Sequence, residues 1–156
     1  MGFAELALIT PMPFYGIVIK VGLTETLAFI IGFTYGIVAG FVGGAMIIII
    51  SDLMVLPGPW TPFIAAIIGL VFGVGGGVIG HFKNPVPGIK ILGASAFILT
   101  VASEILQNWW VAVFYSTPLL ATMIYGFSSL IMALVVNTIL LIAIGPRVIT
   151  VIRNQR

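Results

Sequence analysis

The chain has 156 residues, 61% of them hydrophobic and only 6% charged, with a mean hydropathy of +1.30 and a formal net charge of +2. Soluble domains carry roughly 25% charged residues, so this chain cannot cover itself in water, and a bilayer is the solvent that suits it. It has no cysteine and one histidine, His81, which excludes disulfides, thiolate metal sites and histidine-rich zinc or copper clusters.

Met1 to Ile9 has no basic n-region and contains Glu5, which predicts no cleaved secretory leader. Pro11 and Pro13 interrupt any helix there, and residues 1–10 would rise only about 15 Å as a helix, too short to span a bilayer. The first helix is therefore expected to be short or truncated. Residues 15–36 have room for a further short helix. Thr24, Glu25 and Thr26 then open a charge-free run, with Thr24 expected as N-cap and Glu25 favoured by the helix dipole.

Four long apolar helices are predicted, over residues 26–50, 62–80, 89–113 and 127–145, and residues 119–125 read as a half-helix or a re-entrant loop. The fold class is an all-α integral membrane protein, a compact single-domain bundle of five to six transmembrane helices. Lysine and arginine set its orientation. The Lys83/Lys90 loop and the Arg147 end both read as cytoplasmic and are separated by two crossings, which puts the C-terminus inside and residues 52–61 and 108–118 outside. Lys20 falls outside or inside according to whether the chain turns near Gly36 or runs straight through it. Arg147, Arg153 and Arg156 crowd the last ten positions, and they read as a membrane flank rather than a nucleic-acid contact.

Glycine spacing is the sharpest pattern. Gly32, Gly36, Gly40 and Gly44 recur every four residues, as do Gly69, Gly73 and Gly77. Small residues at that spacing let helix backbones approach closely in lipid, either as fixed packing or as a surface for a moving partner helix. Among polar residues, Glu104 stands late in an apolar helix with Gln107 and Asn108 three and four positions on, followed by Trp109, Trp110 and Tyr115. A carboxylate, two amides and aromatic faces together suit a small solute bearing a ring and an amine or ring nitrogen. The competing reading is an interfacial aromatic belt at a helix end, and for Trp110 the belt is preferred. Asn137, a lone amide deep in the last long helix, reads as an interhelical hydrogen bond, with a ligand contact as the alternative. Asp52 marks the edge of the Pro57-Gly58-Pro59-Trp60-Thr61-Pro62 loop. No Walker motif and no Ser/His/Asp set is present, so the chain is expected to be no enzyme and to need no cofactor.

The run from Gly32 through Tyr35, Gly36, Gly40 and Gly44, then Ser51-Asp52-Leu53, then the 57–62 loop, resembles the substrate-binding S subunits of energy-coupling factor transporters. The segment from Val135 through Asn137 to Leu140, ending at Pro146-Arg147, and the helix from Thr100 to Trp109 are also similar to that family. The resemblance covers about residues 13–152. It implies a six-helix subunit in the cell membrane that captures a vitamin or similar micronutrient from outside, topples within the bilayer, and docks on a transmembrane coupling subunit driven by two ATPase subunits. It implies solute contacts in residues 14–21, Tyr15 among them, and at Trp60, Glu104, Asn108, Trp109, Tyr115, Tyr125 and Asn137. It also implies a tight turn at Gly36, giving helices over about 22–35 and 37–53. The chain departs from the family pattern where a docking motif of alanines every fourth residue is reduced to Ala4 and Ala7; the glycine ladder is the candidate substitute.

Overall fold

The computed structural model describes residues 23–55, 61–82 and 87–154. Tyr15, Trp60, Lys20, Lys83, Ala4 and Ala7, and with them the expectation of a short first helix, lie outside the described residues. Every described element is helical: α1 (Thr24–Tyr35), α2 (Ile37–Val55), α3 (Thr61–Phe82), α4 (Ile89–Phe114), α5 (Leu119–Ala143) and α6 (Gly145–Asn154). Three of them, α3, α4 and α5, are long and apolar enough to cross a bilayer. At 22, 26 and 25 residues they rise about 33 to 39 Å, against a hydrocarbon core of about 30 Å.

The chain turns at Gly36, whose φ of 97° and ψ of 176° lie in a region essentially reserved for glycine. The helix arms on either side fold back on each other as an antiparallel hairpin. Gly32 faces Gly40, and a Cβ on Gly44 would stand 2.9 Å from the Ala28 Cβ. The four-residue glycine ladder is thus the inner face of a hairpin, with its own second member as the turn. α3 closes the unit. Its Gly73 carbonyl lies where a Cβ on Gly32 or on Gly40 would go, and a Cβ on Gly69 would stand 2.6 Å from the Phe41 carbonyl oxygen. Gly76 and Gly80 meet the Phe29 and Phe33 carbonyls in the same way, so α1 runs parallel to the second half of α3. Thr24 is therefore level with about Val71, and α1 begins near half-depth.

The middle of α3, Gly69–Val74, is a π-helical segment. Its glycines lie against α1 and α2, where backbone contact leaves no space for side chains. The contact of α1, α2 and α3 is thus backbone against backbone, the close approach that small residues allow between helices. α1 sits innermost, with Ala28, Phe29, Ile30 and Phe33 all buried. Thr24 is the first helical residue rather than the N-cap. Leu23 occupies that position without a capping bond, and the Thr24 hydroxyl donates to Glu25 Oε2 at 2.9 Å.

α4 runs antiparallel to α3. Trp110 stacks on Phe63 with ring centroids 3.7 Å apart, and a Cβ on Gly75 would meet the Leu99 side chain. α4 ends in a Schellman arrangement: Ser116, at φ 51°, donates its N–H to the Val113 carbonyl, and Thr117 donates to the Ala112 carbonyl. Pro118 then starts α5. The half-helix expected over 119–125 and the helix expected over 127–145 are one continuous helix. Gly126 is the only weak point between them, and a single glycine costs less than freeing backbone groups in hydrocarbon. α5 breaks at Ile144. Pro146, which has no N–H to give, fits the first turn of α6, a short amphipathic helix that the sequence reading did not anticipate. Ile149 is fully buried in the shared core, with Val148 and Ile152 packed beside it, while Arg147, Thr150 and Asn154 face outward.

Candidate functional site

Two polar stripes of helical period face each other along α4 and α5. On α4 they are Thr100, Ser103, Glu104, Gln107 and Asn108; on α5, Thr122, Ser129 and Asn137, with Gly126 between. The antiparallel register joins them rung by rung. Near the middle of α4, Asn137 Nδ2 donates to Thr100 Oγ1 at 3.1 Å, with both side chains buried. One turn closer to the Asp52 end of the bundle, the Ser129 hydroxyl donates to Glu104 Oε1 over a long 3.4 Å. One turn further, the Thr122 hydroxyl reaches the Asn108 backbone carbonyl at 3.3 Å, and the Asn108 carboxamide fills the space beside Gly126, 2.5 Å from where a Cβ would stand. A side chain at residue 126 would displace the Asn108 carboxamide from that space.

The structure sorts the predicted site residues into two groups. Glu104, Asn108 and Asn137 lie together in this seam, and Asn137 makes the interhelical bond expected of it. Asn108 and Glu104 are linked through the backbone, since Asn108 Nδ2 donates to the Glu104 carbonyl oxygen at 2.8 Å. Gln107 turns instead to Ser103, donating Nε2 to its hydroxyl at 2.9 Å. Trp109 and Tyr115 are more than half exposed, and Tyr125 is 43% exposed. Trp110, for which the belt reading was preferred, is half-buried and stacks on Phe63 and Phe114, both exposed. Thr100, Ser103, Thr122, Gly126 and Ser129 were missed as partners. Their signal was present in the three- and four-residue spacing of polar side chains on both helices.

A second buried polar contact closes the corner between α2 and α3. Asp52 is 1% exposed and accepts a 2.6 Å hydrogen bond from the Thr61 hydroxyl. Thr61 opens α3, so the carboxylate also lies at the positive end of that helix dipole. The glycines take no part in an open surface. Gly32, Gly40, Gly44, Gly69, Gly73 and Gly77 are all consumed by contacts inside the α1–α3 unit, and of the seven ladder glycines Gly36 alone has open space around it. The ladder is intramolecular packing and is not available as a docking face for a partner helix.

Among the described residues no group of three or more histidine, cysteine or acidic side chains is placed to hold a metal ion. Comparison of the chain with protein-family models, with curated proteins and with solved structures found no match.

Proposed function

We propose that the chain is the solute-capturing membrane subunit of an ATP-driven importer of the energy-coupling factor type, taking up a vitamin or related small micronutrient. It crosses the cell membrane five to six times with its C-terminus in the cytoplasm, and works with a transmembrane coupling subunit and two ATPase subunits. One observation carries the reading: the polar seam of Glu104, Asn108, Ser129 and Thr122 in the Asp52-end half of the α4–α5 hairpin. Carboxylates and amides at membrane depth are costly, and they mark solute pathways by default. The Glu104–Ser129 bond is long, and exchanging it for a bond to a solute loses little. Charge supports the orientation. Lys90 and Arg147 stand at the Gly36 end, and Asp52 and Glu104 toward the other, which then faces outward.

A second reading, a non-catalytic structural subunit of a larger membrane complex, is favoured by the Asn137–Thr100 pair and by the Asn108–Gly126 packing, both complete without a solute. Mass spectrometry of the protein purified without added ligand separates the two, together with thermal unfolding across a panel of vitamins. A co-purifying solute, with a ligand-induced shift that Glu104→Gln abolishes, supports the importer. Absence of both a bound solute and any shift leaves the structural subunit.

A further inference from the structure

The Gly36 end of the bundle gathers positive charge from elements far apart in sequence. Lys90 is exposed in the first turn of α4 and Arg147 in the first turn of α6. The contact between Gly93 and Ile142, 3.7 Å from an ideal Cβ to Cδ1, fixes their relative height. Lys90 lies one turn beyond Gly93, and Arg147 opens α6 just past the break at Ile144 that follows Ile142, so both stand at the Gly36 end of the bundle. Each cation sits near a helix N-terminus, where the dipole is already positive and disfavours it. Gly88 caps α4 without a side-chain bond. Among the described residues no acid offsets this charge locally: Asp52 and Glu104 lie toward the opposite end, and Glu25 is near half-depth on α1.

We propose that this surface, organised by α6, binds the phosphate headgroups of anionic lipids. Phe82, Ile89 and Ile144, at the ends of α3, α4 and α5 on this side of the bundle, expose apolar side chains, the setting in which acyl chains give way to headgroups. That placement favours a lipid over a soluble acidic protein. α6 rests against both α1 and α5, with Ile149 fully buried, so its outward face is fixed rather than trailing. A headgroup held by Lys90 and Arg147 ties α6 down over the junction between the α1–α3 unit and the α4–α5 hairpin.

The test uses the full chain in neutral detergent, titrated with phosphatidylglycerol or phosphatidylcholine and read by native mass spectrometry and by thermal unfolding. Phosphatidylglycerol should be retained preferentially and should raise the unfolding midpoint, with both effects fading as salt rises. Lys90→Gln with Arg147→Gln should weaken phosphatidylglycerol binding about 25-fold, about fivefold per charge. Lys90→Arg with Arg147→Lys should leave it unchanged. Equal retention of the two lipids by the native chain overturns the proposal. So does undiminished phosphatidylglycerol binding by the double glutamine variant, or capture of soluble polyglutamate without any lipid preference.

Discussion

Replacing Gly73 by alanine puts a methyl group where the Gly40 carbonyl already lies, with the Phe41 backbone nitrogen only 2.9 Å away. The obstacle is backbone on a neighbouring helix, so no rotamer change can relieve it, and α2 and α3 must separate. Overpacking costs about 1–3 kcal/mol where side chains can give way, and the upper end applies here, about 3 kcal/mol. Alanine in a helix recovers about 1 kcal/mol relative to glycine. The net is a loss of ~2 kcal/mol, which for a chain of 156 residues lowers the unfolding midpoint by roughly 4–8 °C. Thermal unfolding in detergent reads this directly, with Gly93→Ala as the internal control. A Cβ at residue 93 meets only Ile142 Cδ1 at 3.7 Å, an ordinary contact, so that variant should hold or slightly raise the midpoint. Gly40→Ala enters the same gap as Gly73→Ala, so the double variant should lose less than the two single losses added together. A Gly73→Ala protein that melts with the native chain, or a double variant whose losses add fully, would refute backbone-to-backbone packing of α2 on α3.

Gly36→Ala should lower the midpoint for a different reason. Nothing lies within 4 Å of the new Cβ, so the whole cost, about 1–3 kcal/mol, is backbone conformation, and Gly36→Asn should not rescue it because ψ of 176° lies outside the left-handed helical region. An alanine variant as stable as the native chain would mean the turn is not held at that φ. Asp52→Ala strips the Thr61 hydroxyl of its buried acceptor and should cost about 1–3 kcal/mol, while Asp52→Asn keeps an acceptor oxygen and should cost clearly less; equal losses in the two unfolding curves would count against the hydrogen bond as the source.

What could be read in advance, and what could not, follows from the range of each signal. The spacing of Gly32, Gly36, Gly40 and Gly44 announces close backbone approach, but a ladder of period four looks the same on a straight helix and on a hairpin whose turn is one of its own members. Only the φ of Gly36 distinguishes them, and composition does not encode φ. The polar residues of α4 were visible on their own helix. Their partners were not, because pairing Glu104 with Ser129 depends on a register set by the Schellman turn at Ser116 and by the fit of Asn108 against Gly126. The break expected between residues 125 and 127 overrated one glycine in a setting where every backbone group must be bonded within its own helix. The last helix was expected over residues 127–145 and none beyond it, although proline is at home in a first turn, as Pro146 is in α6.

The helices of the bundle are held together in two ways, and the difference locates where a solute of the proposed importer would act. In the α1–α3 unit, backbones touch through glycine and leave nothing for a solute to displace without prising helices apart. In the α4–α5 hairpin, the outer rungs are single hydrogen bonds, each worth about 0.6 and at most 1.7 kcal/mol inside a membrane, and a solute with its own donors and acceptors can replace them at little net cost. Among the described residues the hairpin meets the other helices through the Phe63–Trp110 stack, the Gly75–Leu99 contact, the seat of α6 and the shared core at Leu92, Ala96 and Leu141. Its outer rungs run between α4 and α5 and not against the glycine ladder. Affinity and stability should then separate by mutation. Glu104→Gln should weaken binding of whatever solute co-purifies while leaving the unfolding midpoint of the empty protein within about 2 °C, since a glutamine still accepts the Ser129 bond. Gly73→Ala should do the reverse. If Glu104→Gln instead destabilises the empty protein as much as Gly73→Ala does, the seam is packing, and Glu104 holds α4 to α5 rather than a solute.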